Sequence, residues 1–196
     1  CEGRDHNLYP IHRDRLDFDV ERVCSVSLSR TNVYACLVCG KYFQGRGPKT
    51  HAYFHSIDES HHVFMHLDTT RVYVLPDNYA VDDPSLADIP YLIEHTSSEE
   101  HLAQLEAPAQ LSRDLHARTY VPGFLGLNNT AHHEAINVVL QALSHVAPLR
   151  DFFLRRKPGC DGTELLRRFG TLVRRLWNPR AFKRQVSPHE FLQQVS

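Results

Sequence analysis

The residues whose types and spacing could do chemistry gather first at Cys36-Leu37-Val38-Cys39-Gly40-Lys41. Two thiolates separated by two residues can chelate one ion, and the glycine that follows permits the tight backbone turn such a knuckle needs. A knuckle supplies two ligands, whereas a structural zinc takes four. The nearby supply is a histidine pool, His51, His55, His61, His62 and His66, in which His51 and His55 are four apart and so can share one face of a short helix. The pattern predicts a single structural zinc. Five cysteines (Cys1, Cys24, Cys36, Cys39, Cys160) beside 14 histidines also favour metal ligation in a reducing, intracellular setting over a disulfide framework.

The elements around these residues divide the chain in three. Residues 1–95 are rich in Cys, His, Tyr and short β-prone runs such as Arg71-Val72-Tyr73-Val74-Leu75, closed by the turn signal Pro76-Asp77-Asn78. They read as a small α+β module. Residues 96–120 read as a linker or connecting helix, with Ser97 or Ser98 able to cap it. Residues 121–196 read as helical. Ala135, Ile136, Val139, Leu140, Leu143 and Val146 recur at helical spacing and end before Pro148. Asp161 and Glu164 open a second helix whose buried stripe is Leu165, Leu166, Phe169, Leu172, Val173, Leu176 and Trp177, with arginines opposite. Ser187-Pro188-His189-Glu190 is a capping box that starts a third.

The chain has 196 residues, 42% hydrophobic and 23% charged, which is ordinary for a soluble globular protein. No run approaches the roughly 18 apolar residues of a membrane span, and the opening residues do not form a signal peptide. The start at Cys1 and the stop shortly after the third helix begins predict a segment of a longer chain. The net charge of −1 conceals an asymmetry: from Arg150 onward 11 basic residues face 4 acidic ones, giving +7 there and −8 elsewhere. A basic tail of this kind predicts an anionic partner, either RNA or an acidic protein patch. The arginines on the second helix are expected to point outward together. No aromatic residues interleave with them to stack bases, which favours protein.

Cys36-Leu37-Val38-Cys39-Gly40-Lys41-Tyr42-Phe43-Gln44-Gly45-Arg46-Gly47, with His51-Ala52-Tyr53-Phe54-His55 and Ser60-His61-His62-Val63-Phe64, resembles the ubiquitin-protease-type (UBP-type) zinc finger. The resemblance implies zinc ligands at Cys36, Cys39, His55 and His61. Positions that hold further zincs in some members match Cys1, Cys24 and His51, but their partner cysteines are absent, so one zinc is expected. Ubiquitin-binding members clamp a free Gly-Gly carboxyl terminus with Trp, Arg and Tyr. Here the only Trp is Trp177, outside the module; Tyr34 stands in the Trp position and Arg46 nearest the Arg. The resemblance therefore does not carry ubiquitin-tail binding with it.

A second stretch, Gly126-Leu127-Asn128-Asn129-Thr130-Ala131-His132-His133-Glu134-Ala135-Ile136-Asn137-Val138-Val139-Leu140-Gln141, resembles the first catalytic box of ubiquitin-specific proteases. Gly126, Leu127, Asn129, Asn137, Leu140 and Gln141 keep the frame. The catalytic cysteine falls on Glu134 and the oxyanion-stabilising Asn on His132. A thiolate at a helix N-terminus is favoured by the helix dipole and becomes a nucleophile; a carboxylate there enjoys the same dipole but cannot run the acyl transfer. The resemblance implies an α+β chain: a zinc-bound UBP-type finger, then the helical N-terminal part of an inactive, papain-like ubiquitin-specific-protease-like domain. The pairing is similar to ubiquitin-specific-protease-like splicing factors of the spliceosomal tri-snRNP. It implies a nuclear, non-catalytic role through tri-snRNP proteins, with an active deubiquitinase or a ubiquitin-binding regulator as the alternatives.

Overall fold

Short β-prone runs broken by turn residues build one sheet in the first part of the chain. A computed structural model describes residues 10–94, 97, 102, 105, 111–129, 133–156 and 162–195. These form two compact units, residues 1–87 and 88–196.

In the first unit, β1 (Val33–Cys36), β2 (Tyr42–Gln44), β3 (Val63–His66), β4 (Val72–Val74) and β5 (Tyr79–Val81) form an antiparallel sheet in the order β2-β1-β3-β4-β5. The chain turns from β4 to β5 through Pro76-Asp77-Asn78, where Asn78 adopts φ 58°, a left-handed conformation that Asn tolerates. Every residue of β1 is buried. Helix α1 (His51–Asp58) joins β2 to β3, and the CxxC turn joins β1 to β2. The core is Tyr34, Cys36, Val38, Phe43, Ala52, Phe64 and Leu75.

In the second unit, helices α2 (Asp88–Glu94), α3 (Glu134–Ser144), α4 (Ala147–Arg155), α5 (Glu164–Leu176) and α6 (His189–Val195) form the framework. Two small ladders accompany them: β6 (Ser112–Arg113) antiparallel to β7 (Thr119–Tyr120), and β8 (Gly126–Leu127) parallel to β9 (Gln185–Val186). The core includes Leu140, Phe153, Leu154, Phe169, Leu172, Val173, Leu176 and Trp177. Of the stretch expected to connect the two parts, Leu102 and Tyr120 lie in this core, and the Ser97 N–H donates to Leu154 O at 3.0 Å.

The first helix ends before Pro148, as its spacing predicts, and Pro148 sits in the first turn of a further helix, α4, where its missing N–H costs nothing. Two expectations about this helical region need correction. The stripe of α5 is only partly inward: Phe169, Leu172, Val173, Leu176 and Trp177 are buried, while Leu165 and Leu166 are exposed. The apolar stripe of α3 likewise buries Leu140 but leaves Val139 and Leu143 exposed, and Val146, expected on the same face, is exposed beyond the helix end at the N-cap of α4.

The arginines do not share one outward surface either. Arg174 is only 4% exposed. Arg168 is engaged by Glu164 at 2.6 Å and Glu190 at 2.7 Å, while Arg155, Arg156 and Arg167 are exposed. Lys157, Cys160 and Asp161 lie outside the described residues; α5 begins at Glu164, with the Thr163 hydroxyl accepting from the Leu166 N–H.

Candidate functional site

The zinc ligands are positioned by three elements. Cys36 ends β1, Cys39 lies in the turn to β2, His55 sits on the second turn of α1, and His61 lies between α1 and β3. The turn is a closed knuckle: the Gly40 N–H donates to Cys36 O and the Cys36 N–H to Lys41 O, each at 2.9 Å. Gly40 holds φ +77°, and a Cβ there would come within 2.1 Å of Arg15 O, so no other residue fits.

The four donor atoms lie within 4.8 Å of one another, the one such His/Cys/Asp/Glu group among the described residues. Cys39 Sγ is 3.4 Å from His55 Nε2, which is 3.1 Å from His61 Nδ1. Ligands around a tetrahedral zinc, with bonds of about 2.3 Å to sulfur and 2.0–2.1 Å to nitrogen, stand about 3.3–3.8 Å apart. Two thiols and two imidazoles at these separations fit that ion in number, type and spacing, and they would hold the structural zinc of a UBP-type finger. Donation to Cys39 and burial push the Cys36 thiol up, and accepting that bond lowers Cys39.

The other histidines of the pool have different work. His62 Nδ1 is 2.8 Å from Leu75 O, and His66 Nδ1 accepts the N–H groups of Asp68 and Thr69. Cys24 is fully buried and its sulfur accepts the Gln44 N–H at 3.2 Å; neither it nor His51 joins the cluster. Sequence reading missed Phe43, whose ring stacks on His55 at 4.1 Å and fixes the imidazole plane. Its position seven residues after Cys36 was the available signal.

In the second unit the box residues hold a loop against α3. The Asn137 amide donates to Asn128 O at 3.3 Å and the Gln141 amide to Leu125 O at 2.9 Å. Asn129 spans the head of the helix: its Oδ1 accepts the His133 N–H at 3.0 Å, and its Nδ2 donates to Glu134 Oε1 at 2.6 Å. Glu134 is the first residue of α3, and its carboxyl is held below the usual range first by its own backbone N–H and then by Asn129. His132 lies outside the described residues.

The finger's aromatic face is also occupied. Tyr34 is 4% exposed and boxed by His66 and Tyr73, with ring centroids 4.8 Å and 6.1 Å away. The Arg46 guanidinium lies 4.1 Å over the Tyr73 ring and donates to Asn78 Oδ1 at 2.8 Å.

Comparison with known proteins agrees with both halves. Residues 24–86 match the family "Zn-finger in ubiquitin-hydrolases and other protein", and residues 125–196 match "Ubiquitin carboxyl-terminal hydrolase". The chain is 54% identical to human ubiquitin carboxyl-terminal hydrolase 39, over 96% of this chain and 35% of that protein. It is 49% identical to the probable mRNA-splicing protein ubp10 of Schizosaccharomyces pombe, over 97% of this chain and 38% of that protein. The crystal structure of an essential yeast splicing factor superposes with a TM-score of 0.86 at 37% identity, covering 94% of this chain and 47% of that one. The chain thus spans little more than a third of the length of these curated relatives. It carries a UBP-type zinc finger followed by a ubiquitin carboxyl-terminal hydrolase-like region, and it is a homologue of splicing factors.

Proposed function

We propose that this protein is a non-catalytic pre-mRNA splicing factor, a pseudo-deubiquitinase whose zinc-stapled finger and hydrolase-like region form a scaffold in the nucleus. It supports tri-snRNP assembly or stability through protein contacts. The observation that carries this reading is Glu134 at the head of α3, locked by Asn129 where a hydrolase would present its thiolate. A carboxylate cannot form the acyl intermediate of a cysteine protease. The oxyanion position falls on His132. Splicing relatives supply the pathway.

The chain's own residues account for the finger's part. Cys36, Cys39, His55 and His61 would hold the zinc, and the ion's contribution is folding energy. Ubiquitin-tail binding is disfavoured because Arg46 is spent on Tyr73 and Asn78 and Tyr34 is buried. The test is depletion of the protein from nuclear extract, followed by add-back of the wild type or Glu134→Gln. Loss of intact tri-snRNP and of splicing on depletion, with both forms restoring them, is the expected result. Unchanged splicing after complete depletion would contradict the splicing role, and rescue by the wild type alone would contradict the scaffold role.

A further inference from the structure

A groove of about 660 Å³ opens in the second unit between the segment from Arg118 to Gly126 and the segment from Lys183 to Gln185. The parallel pair β8–β9 joins the two sides, and β7 of the β6–β7 ladder supplies one rim. Among the described residues, its lining includes Arg118, Lys183 and Arg184 and no acidic residue.

The two arginines are arranged by a residue beneath them. Asp114 is buried, and its Oδ1 accepts the N–H groups of His116 and Arg118, each at 2.9 Å. Its Oδ2 then faces Arg118 Nε at 2.8 Å and Arg184 Nε at 3.8 Å. One carboxylate thus orients two guanidinium groups while neutralising only one, and both remain about half exposed, at 51% and 48%. A guanidinium held by Nε keeps its outer N–H groups for a second carboxylate. Phe124, 68% exposed, also lines the groove and offers an apolar contact; Tyr120 is buried, with its hydroxyl donating to Asn178 O.

We propose that this groove binds an acidic peptide segment of a partner protein, with its carboxylates on Arg118 and Arg184 and an apolar side chain on Phe124. Single-stranded RNA is the poorer occupant, because one exposed ring gives no platform for successive bases. The site goes beyond the scaffold role proposed above and stands without it, since it requires only these residues.

The probe is a fluorescein-labelled decapeptide of Asp and Glu with one central Leu, titrated against the full chain by anisotropy. Controls are the Asn/Gln counterpart of that peptide and a decauridylate. Saturable binding is expected, weakening with salt and falling at least about tenfold in Arg184→Gln. The same loss is expected in Phe124→Ala, with circular dichroism checking that loss of its contact with the His145 ring leaves the fold in place, while Arg155→Gln should leave affinity unchanged. Equal binding of the amide peptide, tighter binding of decauridylate, or an acidic-peptide affinity that drops with Arg155→Gln but not with the groove variants would each overturn the proposal.

Discussion

Asn129 Nδ2 donates to Glu134 Oε1 at 2.6 Å while Asn129 Oδ1 accepts the His133 N–H, so one side chain ties together the two residues at the head of α3. The frame of a hydrolase box is retained here as architecture. Replacing Glu134 with Cys is expected to yield no deubiquitinase, because loss of an oxyanion donor alone costs about 10²–10³ in rate and the family resemblance puts His132 at that position. Turnover of a ubiquitin substrate by Glu134→Cys well above the parent would show the remaining site to be competent.

Zinc analysis should give one ion per chain, held by Cys36, Cys39, His55 and His61. Structural zinc sites contribute about 10–16 kcal/mol of binding energy that doubles as folding energy. Chelation or Cys36→Ser should therefore unfold residues 1–87 and leave the helices of residues 88–196 largely in place. Hydrogen exchange resolves the two; equal loss of protection in both units would contradict the expectation.

Gly123 holds φ +89°, and a Cβ there would come within 2.7 Å of the ring of Trp177, which is buried and fixed by an indole N–H bond to Ser144 O at 2.9 Å. Strain and overpacking add at such a position. Gly123→Ala should destabilise the second unit by about 1–3 kcal/mol, read as a lowered denaturation midpoint.

Burial pushes the Asp114 carboxyl up, but the N–H groups of Arg118 and His116 and the Arg118 guanidinium outweigh it and hold the folded pKa below the ordinary value. A depressed carboxyl contributes stability that is present above its unfolded pKa and lost as pH falls through the folded one. The second unit should weaken on acidification below the ordinary carboxylate range. Asp114→Asn should be less stable at neutral pH and show a flatter acid limb.

The sequence was most legible where chemistry demands fixed spacing. Cys36, Cys39 and Gly40 declared a knuckle because a metal and a turn constrain them together. His55 and His61 emerged from a pool of five only through family resemblance, since nothing local distinguishes them from His62, which lies against a backbone carbonyl, or His66, whose ring accepts backbone N–H groups. Helices α3 and α5 followed from periodicity and α6 from its capping box, whereas α2 and α4 were not foreseen; the faces of α3 and α5 were not legible, because hydrophobic spacing cannot say how much of a stripe a neighbour covers. Arg174 was misjudged for the same reason: charge predicts solvent, and the fold placed it inside. The groove cations were invisible because Arg118 and Arg184 meet through Asp114 across 66 residues of chain.

The most direct test of the account is turnover of a fluorogenic ubiquitin carboxyl-terminal substrate by the zinc-loaded protein isolated with its nuclear partners. The account predicts a rate equal to that of the Glu134→Gln form and unaffected by thiol alkylation. Turnover above background that alkylation abolishes, in a preparation free of other hydrolases, would contradict it.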